Sequence, residues 1–472
     1  MSLVTGVTKD YQGDVDFDPN SLSTVANEDV ALYVDSVNGS DANPGTQPRP
    51  FKTIDFAISK LPPAWRKSCR IFTAAGDYDF KGNSNYQFGH GLGAKASPLM
   101  FVGAAQVLPG LGNLTSDPAT GSPVSQAYVA PVATVNGALR GAILQNNTTG
   151  RRQRIVDNVF AAGKTTFYLQ FAIATAPVNN FDIIKPACNY RPTSPSPFVF
   201  LNSYVGLSLV RIVSPVEFGF ESPLFGLVNN SICAMYDCEM DGGTSNRDFF
   251  MATGSRMVAS SEQNAWLNDV NKVPFLAGSR GGLWYHCATP PGSLNSISYQ
   301  CSMIGNYMLD NTVLLAYAAS AVEIFAINGN NLSILVLANS QLELDGGDPT
   351  EIGNNLIQGS SPIVGDTVSV AEDSNASIAD LDVGGQTLTI NASLGNALNV
   401  QNSAAKVGDL RGGGVGPNQN AGFGIVSNLS KVVRYLINPT VVGAAGETKV
   451  GTVPTLYAGL PFTDAPTLST IQ

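Results

Sequence analysis

LYVDSVNGSDANPGT at residues 32–46 and PFKTID at residues 50–55 form the stretch that decides the fold. Its first three residues predict a short strand, which runs into a turn rich in Asn, Gly, Asp and Pro, the residues that stop strands and bend chains. Apolar residues then recur at steps of three or four, at Phe51, Ile54, Ile58 and Leu61. This spacing predicts a short amphipathic helix, which Pro62 ends.

A stack of parallel strands has an open first layer, and its unpaired apolar end must be covered. The predicted helix is suited to that role, and a new strand follows at Ile71-Phe72. The segment therefore resembles the entry of pectate-lyase-like right-handed parallel β-helix proteins, including bacteriophage tailspikes and other virion surface proteins. The resemblance covers about 50 residues and implies a fold rather than an activity. A mixed α/β domain with a turn-rich first strand is the alternative.

The composition favours an all-β solenoid. Only 13% of the residues are charged, against about 25% in a typical domain, and the chain contains 48 glycines. Small residues and few charges suit strands with buried inner faces joined by tight turns. We predict a right-handed parallel β-helix with a short N-terminal capping helix and a β-rich C-terminal part.

Three parts are expected along the chain. Residues 1–30 are polar and predict an extended arm that attaches to other virion proteins, with plain terminal disorder as the alternative. Residues 31–360 predict the parallel β-helix, interrupted by a lateral excursion around 106–190 where Pro, Gly, Ser and Thr recur. Residues 361–472 predict a β-rich part that locks three chains together, because tailspike-like proteins are usually homotrimers.

Several classes of function lack support in the sequence. The net charge is −10, and no broad basic footprint for nucleic acid is visible. No apolar run reaches the length of a membrane span, and the N-terminus does not read as an export signal. The six cysteines and two histidines have no zinc-site spacing. We expect buried thiols, no metal and no cofactor.

Paired acidic residues are the candidate catalytic groups. Glu239 and Asp241 precede a Gly-Gly pair, and residues two apart on a strand face the same side. Such a pair could cleave a glycosidic bond or hold Ca²⁺, or the Asp could simply form the turn. Glu217 and Glu221 lie about one coil earlier and join them as candidates. The same pattern recurs 104 residues later at Glu343 and Asp345.

Aromatic residues are the candidate substrate-binding groups. Trp284 and Tyr285 follow Arg-Gly-Gly, with Trp266 nearby in sequence, and aromatic faces stack on sugar rings. Packing in the core or between subunits is the alternative for all three. His286 has no spacing that supports a role as general base.

The resemblance and these residues together predict a bacteriophage virion surface protein of the tailspike type. It is expected to bind host cell-surface polysaccharide, with endoglycosidase or lyase cleavage left open, and to act on the virion after assembly in the host cytoplasm. One alternative is a non-catalytic structural decoration or tail-associated β-helix protein. A second alternative is an exported bacterial polysaccharide lyase.

Overall fold

The structure is a computed structural model of the chain. It describes residues 25–26, 29–62, 64–65, 69–80, 85–86, 90–91, 99–109, 114–116, 125–128, 135–147, 152–170, 181–192, 198–201, 204–213, 225–228, 230–243, 249–252, 254–259, 282–288, 296–299, 301–344, 355–378, 388–408, 410–412, 417, 419–428, 430–435, 440–441, 446–450 and 468–471.

Parallel strands dominate the described residues and form three stacks, here called A, B and C. The chain visits A, then B, then C, and the next strand of A pairs in parallel with the previous one. Two long strands, Ser302–Asp310 and Ala321–Asn330, run through both A and B, so these two stacks form one 22-stranded sheet. Stack C is an 11-stranded sheet. The described chain is therefore almost entirely β, with long parallel sheets.

The strands fall into groups as follows, with the two long strands shared between A and B. Stack A contains Val30–Val34, Cys69–Thr73, Leu99–Gly103, Tyr204–Ser208, Ile232–Tyr236, Arg256–Ala259, Gln341–Leu344, Asn375–Ile378, Ala404–Val407 and Lys431–Tyr435, with Leu468–Ile471 antiparallel at its end. Stack B contains Gly76–Phe80, Cys188–Pro192, Val210–Val213, Cys238–Asp241, Leu283–His286, Asn355–Gln358, Leu388–Asn391, Leu410–Gly412 and Thr440–Val441. Stack C contains Asn85–Tyr86, Phe198–Leu201, Phe225–Val228, Phe249–Ala252, Ser296–Tyr299, Thr312–Tyr317, Leu332–Val336, Val368–Val370, Leu398–Gln401, Phe423–Asn428 and Gly446–Val450. A small parallel sheet joins Val25–Ala26, Ala64–Trp65 and His90–Gly91.

One core runs through the stacks, because each strand turns alternate side chains inward. In stack B, Cys238 pairs with Leu283 and Met240 with Tyr285, and all four side chains are buried. The cluster continues from Val34 in the first strand to Ile425 near the end of the described chain. Residues two apart on one strand consequently share either the core or the outer face.

The helix predicted over residues 51–61 is present but shorter, at Ile54–Ser59. Thr53 caps it, since its Oγ1 accepts a hydrogen bond from the Phe56 amide at 3.2 Å. Asp41 in the preceding turn fixes Thr53 by accepting from its hydroxyl at 2.9 Å. Ile54 and Ala57 are buried in the core. The turn-rich segment thus places the helix against the core, beside the strand Val30–Val34. Among the described residues, no helix is long and apolar enough to cross a membrane.

An antiparallel sheet, here called the insert, occupies residues 105–186 between a strand of stack A and a strand of stack B. Its seven strands are Ala105–Pro109, Leu114–Ser116, Ser125–Tyr128, Ile143–Asn146, Arg152–Ala161, Lys164–Leu169 and Phe181–Pro186. It has its own buried cluster, which includes Leu144, Phe167 and Ile183. Its two ends meet, because the Ala187 amide donates to the Ala104 carbonyl at 2.9 Å.

Serine hydroxyls form a ladder at the turns that lead into stack A. The backbone amides of Ser320, Ser340, Ser374 and Ser403 each donate, at 3.2 Å, to the hydroxyl of the serine before the next strand of stack A, the last acceptor being Ser430. These residues are buried or nearly so, and a buried amide without an acceptor costs free energy. The ladder therefore supplies hydrogen-bond acceptors to backbone amides that find none in the strand pairing.

One sequence expectation changes in the light of these pairings. The 104-residue repeat is a coincidence of composition, because Glu239 lies in stack B whereas Glu343 lies in stack A. The three stacks also continue past residue 360, where Leu344 pairs with Ile378 and Ile378 with Val407. Among the described residues, strand pairing therefore runs on through the change of composition there. All six cysteines are buried, and none forms a disulfide.

Candidate functional site on the outer face of stack B

Polar side chains line up on the outer face of stack B because the strands pair in register. One outer column reads Asp77, Asn189, Arg211, Glu239 and Trp284, each directly opposite the next. A neighbouring column brings Asp241 opposite His286 and His286 opposite Asp310. We call the described outward residues from Asp77 to His286 the strip. Residues far apart in sequence thus become neighbours on a rigid surface.

Arg211 joins the two carboxylates of one strand. Its Nη2 donates to Asp241 Oδ2 at 2.6 Å. Its Nε lies 2.8 Å from Glu239 Oε1 in an ion pair that lacks hydrogen-bond geometry. Asp241 Oδ1 also accepts from the Gly243 amide at 2.9 Å, which closes the turn after the strand. The guanidinium therefore holds both carboxylates together on the outer face.

His286 completes the cluster of Glu239, Asp241 and Arg211. Its Nε2 lies 2.9 Å from Glu239 Oε1, and its Nδ1 lies 3.9 Å from Asp241 Oδ1. Burial raises the pKa of the Glu239 carboxyl, but the hydrogen bond with His286 and the charge of Arg211 outweigh that effect, so its pKa lies below the ordinary value. An ionised carboxylate only accepts hydrogen bonds. His286 Nε2 is therefore the donor.

Trp284 connects this cluster to the insert. Its indole ring stacks on His286 with centroids 4.0 Å apart, and its Nε1 donates to Asp310 Oδ2 at 2.9 Å. Arg140 of the insert binds Asp310 through two nitrogens, Nη2 at 2.6 Å and Nε at 3.0 Å. The Gly141 backbone lies so close to the indole that a Cβ there would fall 1.9 Å from it. The ring is thus held in place by contacts on several sides.

Buried polar groups hold the insert against stack B. The Arg154 guanidinium is fully buried and donates to the carbonyls of Gly141, Cys238 and Gly282 at 2.7, 3.1 and 3.1 Å. Desolvation lowers the pKa of Arg154 to about 10, so the group stays charged near neutral pH. Arg152 Nη1 pairs with buried Asp237 at 3.1 Å. The wall beside the cluster is therefore fixed to the scaffold by charge-assisted hydrogen bonds.

Glu239, Asp241 and His286 could together hold a metal ion, since one ligand atom from each lies within 4.8 Å of the others. Two carboxylates and an imidazole are ordinary ligands for divalent metals. In this structure the Arg211 guanidinium lies against both carboxylates and already supplies positive charge there. The sequence left Ca²⁺ open for the pair Glu239 and Asp241, but the expectation of no metal was based on cysteine and histidine spacing and did not include His286.

The structure treats the predicted site residues differently. Glu239 and Asp241 are brought together on the outer face, as their two-residue spacing predicts. The prediction that Tyr285 binds substrate is wrong. Its side chain is fully buried in the core, because it alternates with the outward Trp284 and His286, and it cannot stack on a sugar. Trp284 is on the outer face but engaged by His286, Gly141 and Asp310. Glu217, Glu221 and Trp266 lie outside the described residues, as does Asp345.

Sequence reasoning missed Arg211, Asp310 and Arg140 as members of the cluster and gave His286 little weight. Arg211 precedes its register partner Glu239 by 28 residues, close to the 27 that separate the paired Phe198 and Phe225. A search for polar residues separated by about the same spacing would have found it. Arg140 gives no such signal, because it comes from the insert.

Comparison with known proteins leaves the family open. No family model matches the chain, and no curated protein matches it. Among solved structures, a glycoside hydrolase aligns over 90% of this chain and 98% of its own at 8% identity and TM-score 0.26. A GH136 lacto-N-biosidase from Eubacterium ramulus aligns over 90% and 68% at 8% identity and TM-score 0.26. A rhamnogalacturonan lyase aligns over 90% and 86% at 12% identity and TM-score 0.22. These neighbours are carbohydrate-active proteins, but likeness at this level does not assign their activities to this chain.

Proposed function

We propose that the chain is a right-handed parallel β-helix of the bacteriophage tailspike type, carried on the virion surface, that binds a host cell-surface polysaccharide. The observation that supports this proposal most is the cluster of Arg211, Glu239, Asp241 and His286 on the outer face of stack B. Rigid scaffolds that present convergent polar groups beside a large inserted segment are typical of binding sites.

The charges around the cluster favour a ligand rich in hydroxyl groups. Four guanidinium groups lie there, and four carboxylates lie beside them, at Arg140, Arg152, Arg154 and Arg211 and at Asp237, Glu239, Asp241 and Asp310. Among the described residues these charges cancel, so this part of the site carries no excess of positive charge of the kind that a phosphate-rich ligand would need. Sugar hydroxyls both donate and accept hydrogen bonds and can therefore bind carboxylates and guanidinium groups alike.

Binding without cleavage is favoured over hydrolysis at this cluster. A glycosidase that uses two carboxyl groups needs one of them protonated as a general acid, with its pKa raised. The pKa of Glu239 is lowered instead, and Arg211 is paired with both carboxylates. This favours the alternative in which the protein recognises or decorates a surface and leaves the glycan intact.

The other parts of the proposal concern assembly. A homotrimer, with residues 361–472 contributing to its contacts, suits a tailspike-type protein, and residues 1–30 would attach it to other virion proteins. A mass measurement of the full chain under native conditions tests the trimer. A mass of one chain would contradict this part and leave polysaccharide binding intact.

Binding is tested on an array of purified capsular polysaccharides and O-antigens from many bacterial strains. We expect selective binding to one or a few polymers, with no change in their chain length after prolonged incubation. Arg211→Gln should weaken the binding, and the matched control Thr389→Gln, an outward residue of stack B beyond the insert, should not. Absence of binding to every polymer would contradict the proposal. Shortening of the polysaccharide chains during incubation would instead favour the hypothesis that the protein cleaves its ligand.

A further inference from the structure

The strip is open at one end and covered at the other. Side-chain exposure falls along it, from 51% at Asp77 and 41% at Arg191 to 33% at Arg211, and is 12% at Glu239 and 18% at Asp241 and His286. Just beyond the strip, Asp310 is 8% exposed. From Asp77 to Trp284 the column spans four strand spacings, or ~19 Å. An extended ligand of several sugar residues fits this length.

The insert is what covers the far end. Beyond Trp284 the outward column continues with Met308 and Asn328, which are both fully buried. Gln170 of the insert donates to the carbonyls of Tyr307 and Ala326, at 3.2 and 3.3 Å, and so lies directly over these strands. Arg140 closes the same edge through its bidentate bond to Asp310. A chain lying along the strip would meet this wall immediately after the cluster.

We propose, building on the polysaccharide-binding function above, that the strip receives the end of a glycan chain rather than its interior. The terminal sugar would lie at Glu239, Asp241 and His286, against the wall formed by Arg140 and Asp310. The following sugars would run outward over Arg211 and Asn189 toward Asp77. The wall leaves no exit along the column for a chain that continues past the cluster.

A competition experiment can distinguish binding of chain ends from binding along the length of the chain. A polymer that binds on the array is partly hydrolysed with acid, and equal masses of intact and shortened material then compete for the protein. End recognition predicts that competition per mass increases in proportion to the number of ends. Fragments labelled at their reducing ends with a bulky amine dye by reductive amination should lose most of this gain when the reducing end is the one bound, and keep it when the non-reducing end is bound.

Variants locate the bound chain. Asn189→Trp places a large ring in the middle of the strip and should weaken binding of long fragments about tenfold or more. Thr389→Trp, on the same stack beyond the insert, is the matched control and should bind normally. End recognition is contradicted if competition depends on mass alone or if Asn189→Trp binds normally, and polysaccharide binding then still stands. Absence of binding to every polymer by the unmodified protein contradicts both proposals.

Discussion

His286 stands directly opposite Asp241 on the neighbouring strand, yet its Nε2 reaches diagonally to Glu239 at 2.9 Å. Arg211, from the strand on the other side, pairs with both carboxylates. Three successive strands of stack B therefore contribute to one charged cluster. Its stability and protonation are open to direct measurement.

Glu239→Gln should destabilise the protein by about 1–3 kcal/mol at neutral pH, because Arg211 and His286 each lose a charged partner. The pKa of Glu239 is lowered in the folded protein, so its contribution is present above the unfolded pKa and is lost as pH falls through the folded one. Urea unfolding of both proteins between pH 7 and pH 3 checks this. We expect the difference in unfolding free energy between the two proteins to narrow below pH 4.5, the ordinary pKa of the group. A difference that stays constant with pH would contradict an ionised Glu239 in the folded protein.

Gly141→Ala should weaken docking of the insert. The φ angle of Gly141 is +77°, which disfavours any other residue, and a Cβ would fall 1.9 Å from the Trp284 ring. We expect a cost of about 1–3 kcal/mol for the backbone alone, together with a change in tryptophan fluorescence. Gly163→Ala is the matched control, with a similar φ of +73° but no atom near its Cβ. Equal effects of the two variants would show that contact with Trp284 is unimportant.

Ser374→Ala should cost about 1–3 kcal/mol, because the buried amide of Ser340 then lacks its acceptor. Ser369→Ala, at a half-buried position of stack C, should change stability little. Urea unfolding measures both. Similar small effects at the two positions would mean that water replaces the ladder hydroxyl.

Glu323→Gln should stabilise the protein slightly at neutral pH. Glu323 lies directly opposite Glu343 on the next strand, and like charges in that position repel. Burial and the Glu343 charge raise the pKa of Glu323, so the stability supplied by its protonated form is complete at low pH and lost as pH rises through the folded pKa. We expect a gain of ~0.2–1 kcal/mol at pH 7, reduced by solvent screening, that vanishes near pH 4. Thermal unfolding at the two pH values checks it, and a gain at both would point to a different cause.

The local parts of the fold could be predicted from the sequence. Turn residues and three- to four-residue spacing located the helix that begins at Ile54, and the apolar runs at Phe198 and Phe225 proved to be direct register partners. The spacing between paired strands was harder to predict, because stack A partners lie 20 residues apart at Ala321 and Gln341 but 34 apart at Gln341 and Asn375. Turn length varies freely while the strands stay in register, so no single period describes the chain.

The candidate site was only half predictable for a related reason. Alternation along one strand placed Glu239 and Asp241 on the same face, which is a local property. Their partner His286 lies opposite Asp241 but 45 residues later in the sequence, because a long connection separates the two strands. Arg140 comes from a different sheet altogether. Contacts that depend on register across long connections, or on docking of an insert, leave no pattern within a single strand.

The hydrogen bond between Ala104 and Ala187 at the two ends of the insert has an evolutionary consequence. Since both ends emerge at one point, a segment of different length or sequence can replace the whole insert without changing the parallel strand pairing on either side. Only the scaffold residues that pair with the insert, among them Asp237 and Asp310, would need new partners. Exchange of such a cassette would give one scaffold a succession of different recognition surfaces.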